Sequence, residues 1–130
     1  MVYTMAALTK EVMELLQKEH LVYAATATKG GVPNVSPKGS IAVVDDKRLV
    51  FAEIASPHTI QNLLENPLIS LYVLDKQAGK GAQIKGEAEL VKEGPRFDAV
   101  ADALKKMRPE LPPAHYAVYI KVQDVFPYGM

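Results

Sequence analysis

The fold is decided by residues 48–74, RLVFAEIASPHTIQNLLENPLISLYVL, in which two apolar segments flank a helical pattern. Residues 48–54 are rich in Leu, Val and Phe, a composition typical of a β-strand. Residues 68–74 are almost entirely apolar, which predicts a strand buried on both faces. Between the two segments, apolar residues recur at helical spacing until Asn66 and Pro67 end the pattern. The stretch therefore predicts a strand, a short helix and a second strand.

The remainder of the chain repeats these two patterns. Residues 4–19 place apolar side chains at helical spacing. Gly94 and Pro95 open another helix, because Pro is tolerated at a first helical position. Four further segments are predicted to be strands: 21–28, 34–44, 84–90 and 115–126. The second of these is expected to bend, since Pro37 has no N–H to donate to a sheet.

Six strands, about three helices and hairpin-length connections predict a mainly β, α+β fold. A small antiparallel barrel suits this order, because closure removes the exposed edges that a flat sheet would leave. A two-layer α+β sheet is the alternative. With 130 residues, of which 48% are hydrophobic, the chain is expected to form a single domain over residues 1–130.

The composition excludes several classes of function. Fifteen Lys and Arg balance fifteen Asp and Glu, so the chain lacks the basic excess of a nucleic-acid or anionic-membrane binder. It contains no Cys, and its His20, His58 and His115 lack the spacing of metal ligands. Neither a signal-peptide pattern nor a membrane-length apolar run occurs, so a cytoplasmic protein is expected. No side chain stands out as a general acid or base, and no catalytic residue is assigned.

The segment Ser56-Pro57-His58-Thr59 carries the clearest sign of binding chemistry. In one interpretation it only starts a helix, with Ser56 as the N-cap and Pro57 at the first helical position. In the other, the hydroxyls of Ser56 and Thr59, the ring N–H of His58 and the free N–H groups of the helix form a phosphate site. Lys38 is the candidate for the full positive charge of such a site.

Five motifs follow one another in a recognisable order: Val35-Ser36-Pro37-Lys38, Arg48-Leu49-Val50-Phe51, Ser56-Pro57-His58-Thr59-Ile60-Gln61-Asn62-Leu63, Asn66-Pro67 and Ile84-Lys85-Gly86-Glu87-Ala88-Glu89-Leu90. In order and spacing they resemble the FMN-binding split barrel of the pyridoxamine 5′-phosphate oxidase-like superfamily. The resemblance covers most of the chain after the first helix. It implies a six-stranded antiparallel split β-barrel with about three flanking helices, and FMN as the cofactor.

The resemblance also implies which residues contact FMN. The second strand would run beside the isoalloxazine ring and the ribityl chain, at Val35, Ser36, Pro37 and Lys38. The end of the third strand would line the flavin, at Glu53, Ile54 and Ala55. The following turn and helix start would hold the phosphate, at Ser56, His58 and Thr59. Members of the superfamily are typically homodimers with FMN at the interface, and the second subunit would contribute Gly81, Ala82, Gln83 and Phe126.

The implied function is that of a small redox flavoprotein, either an oxidoreductase or an electron carrier, with a protein or a nicotinamide as redox partner. A binding module without redox turnover is the alternative. Pyridoxamine-phosphate oxidase activity itself is not expected, because such enzymes grip a substrate phosphate with several arginines and this chain has only Arg48, Arg96 and Arg108. The apolar C-terminal residues Val125, Phe126 and Tyr128 are expected at the subunit contact, although a tail packed on its own barrel is the alternative.

Overall fold

The computed structural model describes residues 6–130, which form three helices and seven strands. The helices are α1 (Lys10–Glu19), α2 (Pro57–Glu65) and α3 (Pro95–Met107). The strands are β1 (Val22–Ala27), β2 (Pro33–Lys38), β3 (Ala42–Asp45), β4 (Arg48–Glu53), β5 (Leu68–Asp75), β6 (Lys80–Val91) and β7 (Tyr116–Tyr128). They form one antiparallel sheet in the order β2-β1-β5-β6-β7-β4-β3. The fold is therefore α+β and mainly β.

The prediction of a closed barrel with six strands is wrong, because the sheet has seven strands and two edges. The edge strands β2 and β3 are joined by residues 39–41. A connection from Lys38 to Ala42 spans at most about 14 Å, so the two edges must approach each other at this end of the sheet. The sheet thus curls toward a barrel and leaves a split between β2 and β3.

The predicted strand 34–44 becomes two strands because the chain leaves one edge of the sheet and joins the other. Residues up to Lys38 pair with β1, whereas residues from Ala42 onward pair with β4. At the crossing, the Ser40 hydroxyl accepts the Ala52 N–H at 2.9 Å and lies 3.3 Å from the Ala52 carbonyl oxygen. A side chain here replaces a backbone partner of the ladder, which periodicity does not reveal.

Helix α1 begins later than predicted. Residues 4 and 5 of the predicted helix lie outside the described residues, and residues 6–9 are not helical. The helix begins at Lys10 because Thr9 is its N-cap, with a hydroxyl that accepts the Val12 N–H at 3.2 Å. The predicted helices in the middle of the chain and after Gly94 are confirmed as α2 and α3.

Strand β5 confirms the strand predicted at residues 68–74, but only one of its faces is buried. Its core side chains are Ile69, Leu71 and Val73. Its outer side chains, which are between 36% and 55% exposed, are Leu68, Tyr72 and Leu74. The prediction of burial on both faces is wrong, because an apolar run does not distinguish a covered face from an interaction surface.

The hydrophobic core lies on the concave side of the sheet, and α1 packs into it. Val12 and Leu16 of α1 join the strand residues of the core. A second, smaller cluster lies under α3, where Leu104 meets Ala52 and Ala114. Leu104 is the buried residue of α3, so this helix covers its part of the sheet only loosely. Among the described helices, none has the length and apolar character needed to cross a membrane.

Candidate functional site

The candidate site lies where β2, β4 and α2 come together. Strand β2 ends at Lys38, β4 ends at Glu53 and α2 begins at Pro57. The Lys38 ammonium donates to Glu53 Oε2 at 2.7 Å and to Ser56 Oγ at 2.6 Å. Glu53 Oε1 accepts the Ser56 N–H at 2.7 Å. These bonds join β2 to β4 and fix the turn that leads into α2.

The ion pair at the centre of this cluster is buried. The side chains of Lys38 and Glu53 are 6% and 2% exposed, and the ammonium lies 5.6 Å from the centroid of the Phe51 ring. A buried pair of this kind is tolerated because each charge compensates the other. The charge of Lys38, which the sequence analysis assigned to a phosphate, is thus directed at Glu53.

Hydroxyl groups gather at the start of α2. Ser36 Oγ lies 3.1 Å from Thr59 Oγ1, and Thr59 is fully buried. Ser56 occupies the N-cap position, but its side chain makes no capping bond and its hydroxyl instead accepts from Lys38. The N-cap interpretation is therefore right for the position and wrong for the hydrogen bond. His58 is exposed beside these groups, and the first N–H groups of a helix have no partner within it.

Helix α2 is anchored so that its N-terminus keeps a fixed position beside β2. Asn62 Nδ2 donates to Thr26 Oγ1 of β1 at 3.1 Å, and both residues are buried. Leu63 packs into the core one residue further along the helix. Because β1 pairs with β2 along six residue pairs, these contacts fix the start of α2 relative to Ser36.

The residues predicted to line the ring lie on either side of the same cluster. Val35 and Pro37 of β2 are exposed. Ile54 is half-buried and Ala55 is exposed immediately after β4. The fold therefore brings the predicted ring-lining residues of β2 and β4 to one region beside the predicted phosphate residues.

The residues predicted to come from a second subunit lie elsewhere in the chain. Directly paired positions form one row across the outer face of the sheet: Pro37, Tyr23, Tyr72, Gln83 and Phe126. Four strand spacings place Phe126 about 19 Å from Pro37 along the sheet. One subunit does not bring both ends of this row to a single ligand.

Two residues near this row point away from the outer face. Ala82 and Val125 are fully buried in the core. The expectation of Val125 at the subunit contact is therefore wrong, because strand alternation turns it inward while Phe126 faces outward. The backbone of Gly81 lies close to that of β5, since a Cβ at this position would be 2.8 Å from the Val73 carbonyl oxygen.

A cavity of about 730 Å³ opens beside the cluster. Its walls come from β3 and β4 on one side and from α3 on the other, and its apolar lining includes Ile41, Val43, Val50, Ile54, Val100 and Leu104. It also reaches Lys38, Glu53 and Ser56. Its volume is in the range of sites that hold small organic molecules, roughly 300 to 1,000 Å³.

Comparison with known proteins identifies the family. The family model for pyridoxamine 5′-phosphate oxidase matches residues 8–127. The chain belongs to this family. An uncharacterized protein of Methanocaldococcus jannaschii is 35% identical over 121 residues, which are 92% of this chain and 79% of that relative.

Solved structures place this family member among proteins of the same fold. HupZ of Group A Streptococcus is 27% identical, with a TM-score of 0.83 over 92% of this chain and 93% of that chain. A pyridoxamine 5′-phosphate oxidase-like protein of Lactobacillus delbrueckii is 26% identical, with a TM-score of 0.80 over 94% and 95% of the two chains. More distant proteins that share the fold include an FMN-binding protein of Syntrophomonas wolfei, HutZ, the heme storage protein of Vibrio cholerae, and an F420 reductase.

The sequence did not indicate that residues of α3 line a cavity. Val100 and Leu104 have the spacing of core residues, and the same spacing serves a helix that covers a cavity. The pairing of Glu53 with Lys38 was also missed. The available signal was a carboxylate directly after the apolar run Leu49-Val50-Phe51-Ala52, since a buried charge needs a partner.

Proposed function

We propose that the protein is an FMN-binding flavoprotein with a redox function, either an oxidoreductase or an electron carrier. The observation that carries this proposal is the set of hydroxyl groups of Ser36, Ser56 and Thr59 around the N-terminus of α2. Hydroxyl donors and unpaired N–H groups at the positive end of a helix suit a phosphate dianion. The family and the FMN-binding protein that shares the fold support the same cofactor.

In this proposal Ser56, His58 and the first N–H groups of α2 hold the FMN phosphate. Ser36, whose hydroxyl lies 3.1 Å from that of the fully buried Thr59, contacts the adjoining ribityl chain. The exposed imidazole of His58 is accessible to a ligand. Lys38 acts indirectly, because its ammonium binds the Ser56 hydroxyl and thereby orients it. The full charge of Lys38 is compensated by Glu53, so hydroxyls, imidazole and backbone N–H groups provide most of the phosphate contacts.

The isoalloxazine ring is proposed to lie along β2 and the end of β4. Val35 is 65% exposed and Pro37 is exposed beside it. Ile54 and Ala55 continue this surface after Glu53 of β4. Covering these apolar groups with the ring would remove them from water, which is favourable.

A homodimer would complete this site. The outer row of the sheet separates Pro37 from Phe126 by about 19 Å in one subunit. A second copy packed against the same face can bring its own Gln83 and Phe126 to the ring at the first copy's β2, whereas Gly81 and Ala82 are buried within their own subunit. In this arrangement residues 1–130 are one FMN-binding domain, and two such domains form two sites.

Bound FMN supplies the redox chemistry. The chain holds the phosphate, orients the ring along β2 and, through the second subunit, excludes water from it. The proposed redox partner is another protein or a nicotinamide.

The proposal is tested by comparing FMN with riboflavin, which lacks the phosphate. A hydrogen bond to a charged group contributes about 1.5 to 3 kcal/mol, so Ser56→Ala, which removes a partly exposed hydroxyl that makes no capping bond, is expected to weaken FMN binding by about tenfold to a hundredfold. Riboflavin affinity should change little. Thr9→Ala is the matched control, because it removes a hydroxyl that caps α1 and should lower the melting temperature without changing the preference for FMN. Equal affinity of the unmutated protein for FMN and riboflavin would contradict the phosphate site.

Absorption spectra of the purified protein distinguish the functions. A flavin spectrum bleached by NAD(P)H indicates an oxidoreductase, and one bleached only by dithionite or a protein donor indicates an electron carrier. A colourless protein that does not respond to FMN indicates a binding module without redox turnover. A Soret band without flavin would favour heme, since HutZ, which shares this fold, is a heme storage protein.

A further inference from the structure

We infer that the cavity between α3 and strands β3 and β4 is the substrate site, and that it takes a neutral, largely apolar molecule of aromatic size. In this inference Glu53 excludes anionic ligands, because its carboxylate neutralises the positive charge of Lys38. That the bound molecule is a substrate rests on the proposed flavin function. The cavity and its selectivity rest on the geometry alone.

The location of the cavity supports a ligand beside the flavin. The proposed flavin surface and the cavity share residues at the ends of β2 and β4: Pro37, Lys38, Glu53, Ile54, Ala55 and Ser56. From there the cavity extends under α3, beyond the proposed ring-lining residues. A molecule in this part would lie next to the ring without displacing the phosphate from the start of α2.

The charges around the cavity indicate what it accepts. Among the described lining residues, those with a formal charge at neutral pH are Lys38, Glu53 and Arg108. The first two neutralise each other at 2.7 Å. The Arg108 side chain is 55% exposed and pairs with Glu110 at 2.5 Å. Each cation therefore already has a carboxylate partner.

An anionic ligand would meet an unfavourable environment in this cavity. A phosphate or carboxylate loses part of its hydration on entry and would come close to the buried Glu53 carboxylate. Like charges placed close together repel each other, and we expect this repulsion to weaken the binding of an anion by at least about tenfold. A neutral molecule has no such cost and can contact the apolar walls formed by Val43, Val50 and Val100.

The matched probes for this inference are 1-naphthol and 1-naphthyl phosphate, which share the aromatic ring and differ in charge. Isothermal titration calorimetry with FMN-saturated protein keeps the second probe out of the FMN phosphate site. We expect 1-naphthol to bind at least about tenfold more tightly than 1-naphthyl phosphate. Titration of the FMN-free protein with 1-naphthol alone measures the cavity even where FMN does not bind, because 1-naphthol carries no phosphate for the site at the start of α2, so the two proposals fail separately.

The site of binding is tested by filling the cavity. Ala103 lines the cavity on α3, whereas Lys105, two residues further along the helix, is exposed and outside the lining. Ala103→Phe is expected to weaken 1-naphthol binding by about tenfold or more, and the control Lys105→Phe is expected to leave it unchanged. Equal binding by both variants would overturn the assignment of the cavity.

The selectivity is tested by removing the compensating carboxylate. Glu53→Gln is expected to strengthen 1-naphthyl phosphate binding relative to 1-naphthol by about tenfold, since it leaves Lys38 uncompensated. The double variant Lys38→Met with Glu53→Gln should lose this gain and keep 1-naphthol binding, which also shows that the cavity has remained intact. Asp46→Asn removes a carboxylate from an exposed turn and should change the affinity for neither 1-naphthol nor 1-naphthyl phosphate. Tight binding of 1-naphthyl phosphate to the FMN-saturated unmutated protein, or no gain in FMN-saturated Glu53→Gln, would overturn the inference.

Discussion

The ion pair of Lys38 and Glu53 contributes both to the stability of the fold and to the shape of the site. It joins β2 to β4, which lie on opposite sides of the split. Lys38→Met leaves the Glu53 carboxylate buried without its cation, and removal of one partner of a buried pair costs about 3 to 5 kcal/mol. Lys38→Met combined with Glu53→Leu removes both charges and is expected to cost less than Lys38→Met alone. Urea unfolding of the single and double variants measures this difference. Additive losses would show that the two side chains do not act as a pair.

At the residue scale, the sequence predicted which residues lie together in the site better than it predicted the hydrogen bonds between them. Ser56, Thr59 and Lys38 do lie together at the start of α2. The partner of Lys38 is 15 positions away, at the end of another strand, and only the crossing from one sheet edge to the other brings it within reach. Contacts of this kind depend on topology, which a local pattern does not contain.

At the scale of elements, α1 is tied to the end of β5 by an ion pair. The Lys18 ammonium donates to Asp75 Oδ2 at 2.8 Å, and the Ala78 N–H donates to the same carboxylate. These bonds, that of Lys18 first, hold the pKa of Asp75 below its usual value of 3.8. A carboxyl with a lowered folded pKa adds stability above its unfolded pKa, and that contribution is lost as the pH falls through the folded pKa.

Asp75→Asn is therefore expected to reduce the free energy of unfolding above about pH 5 and to make little difference once the pH is below the lowered folded pKa. The deficit should shrink with added salt, because the Lys18 side chain is 65% exposed and its charge is screened. Urea unfolding across this pH range checks the prediction. Asp102→Asn on the exposed side of α3 is the control. A deficit that persists unchanged at low pH would assign the loss to packing instead of charge.

Element types were largely predictable, whereas their ends and their number were not. Apolar spacing correctly predicted α2 and α3, and alternation predicted β6 and β7. The start of α1 depended on a hydroxyl cap at Thr9, and the division of residues 34–44 depended on the Ser40 hydroxyl bonding across to Ala52. Both features depend on single side-chain hydrogen bonds. A periodic pattern of apolar residues does not reveal bonds of this kind.

At the scale of the molecule, the outer face of the sheet is unusually apolar for a surface. Large apolar side chains there are 36% to 65% exposed, including Tyr23, Val35, Tyr72, Leu74 and Tyr128. The register places them on one face of the sheet, on β2, β1 and β5 and, beyond β6, on β7. Contiguous patches of this kind mark interaction sites, and the proposed homodimer would cover this one.

Tyr72 lies at the centre of this face, so Tyr72→Glu is expected to convert the proposed dimer into a monomer by placing a charge in a desolvated contact. Because the second subunit is proposed to close the flavin site, FMN affinity should fall in parallel with the loss of dimer, by about tenfold or more. Sedimentation velocity at micromolar concentration and FMN titration of the same samples check both effects. The matched control is Val44→Glu, which places the same charge on an exposed apolar position of the edge strand β3, away from the outer row of Tyr72. An unmutated protein that sediments as a monomer with FMN bound would show that one subunit suffices to hold the cofactor.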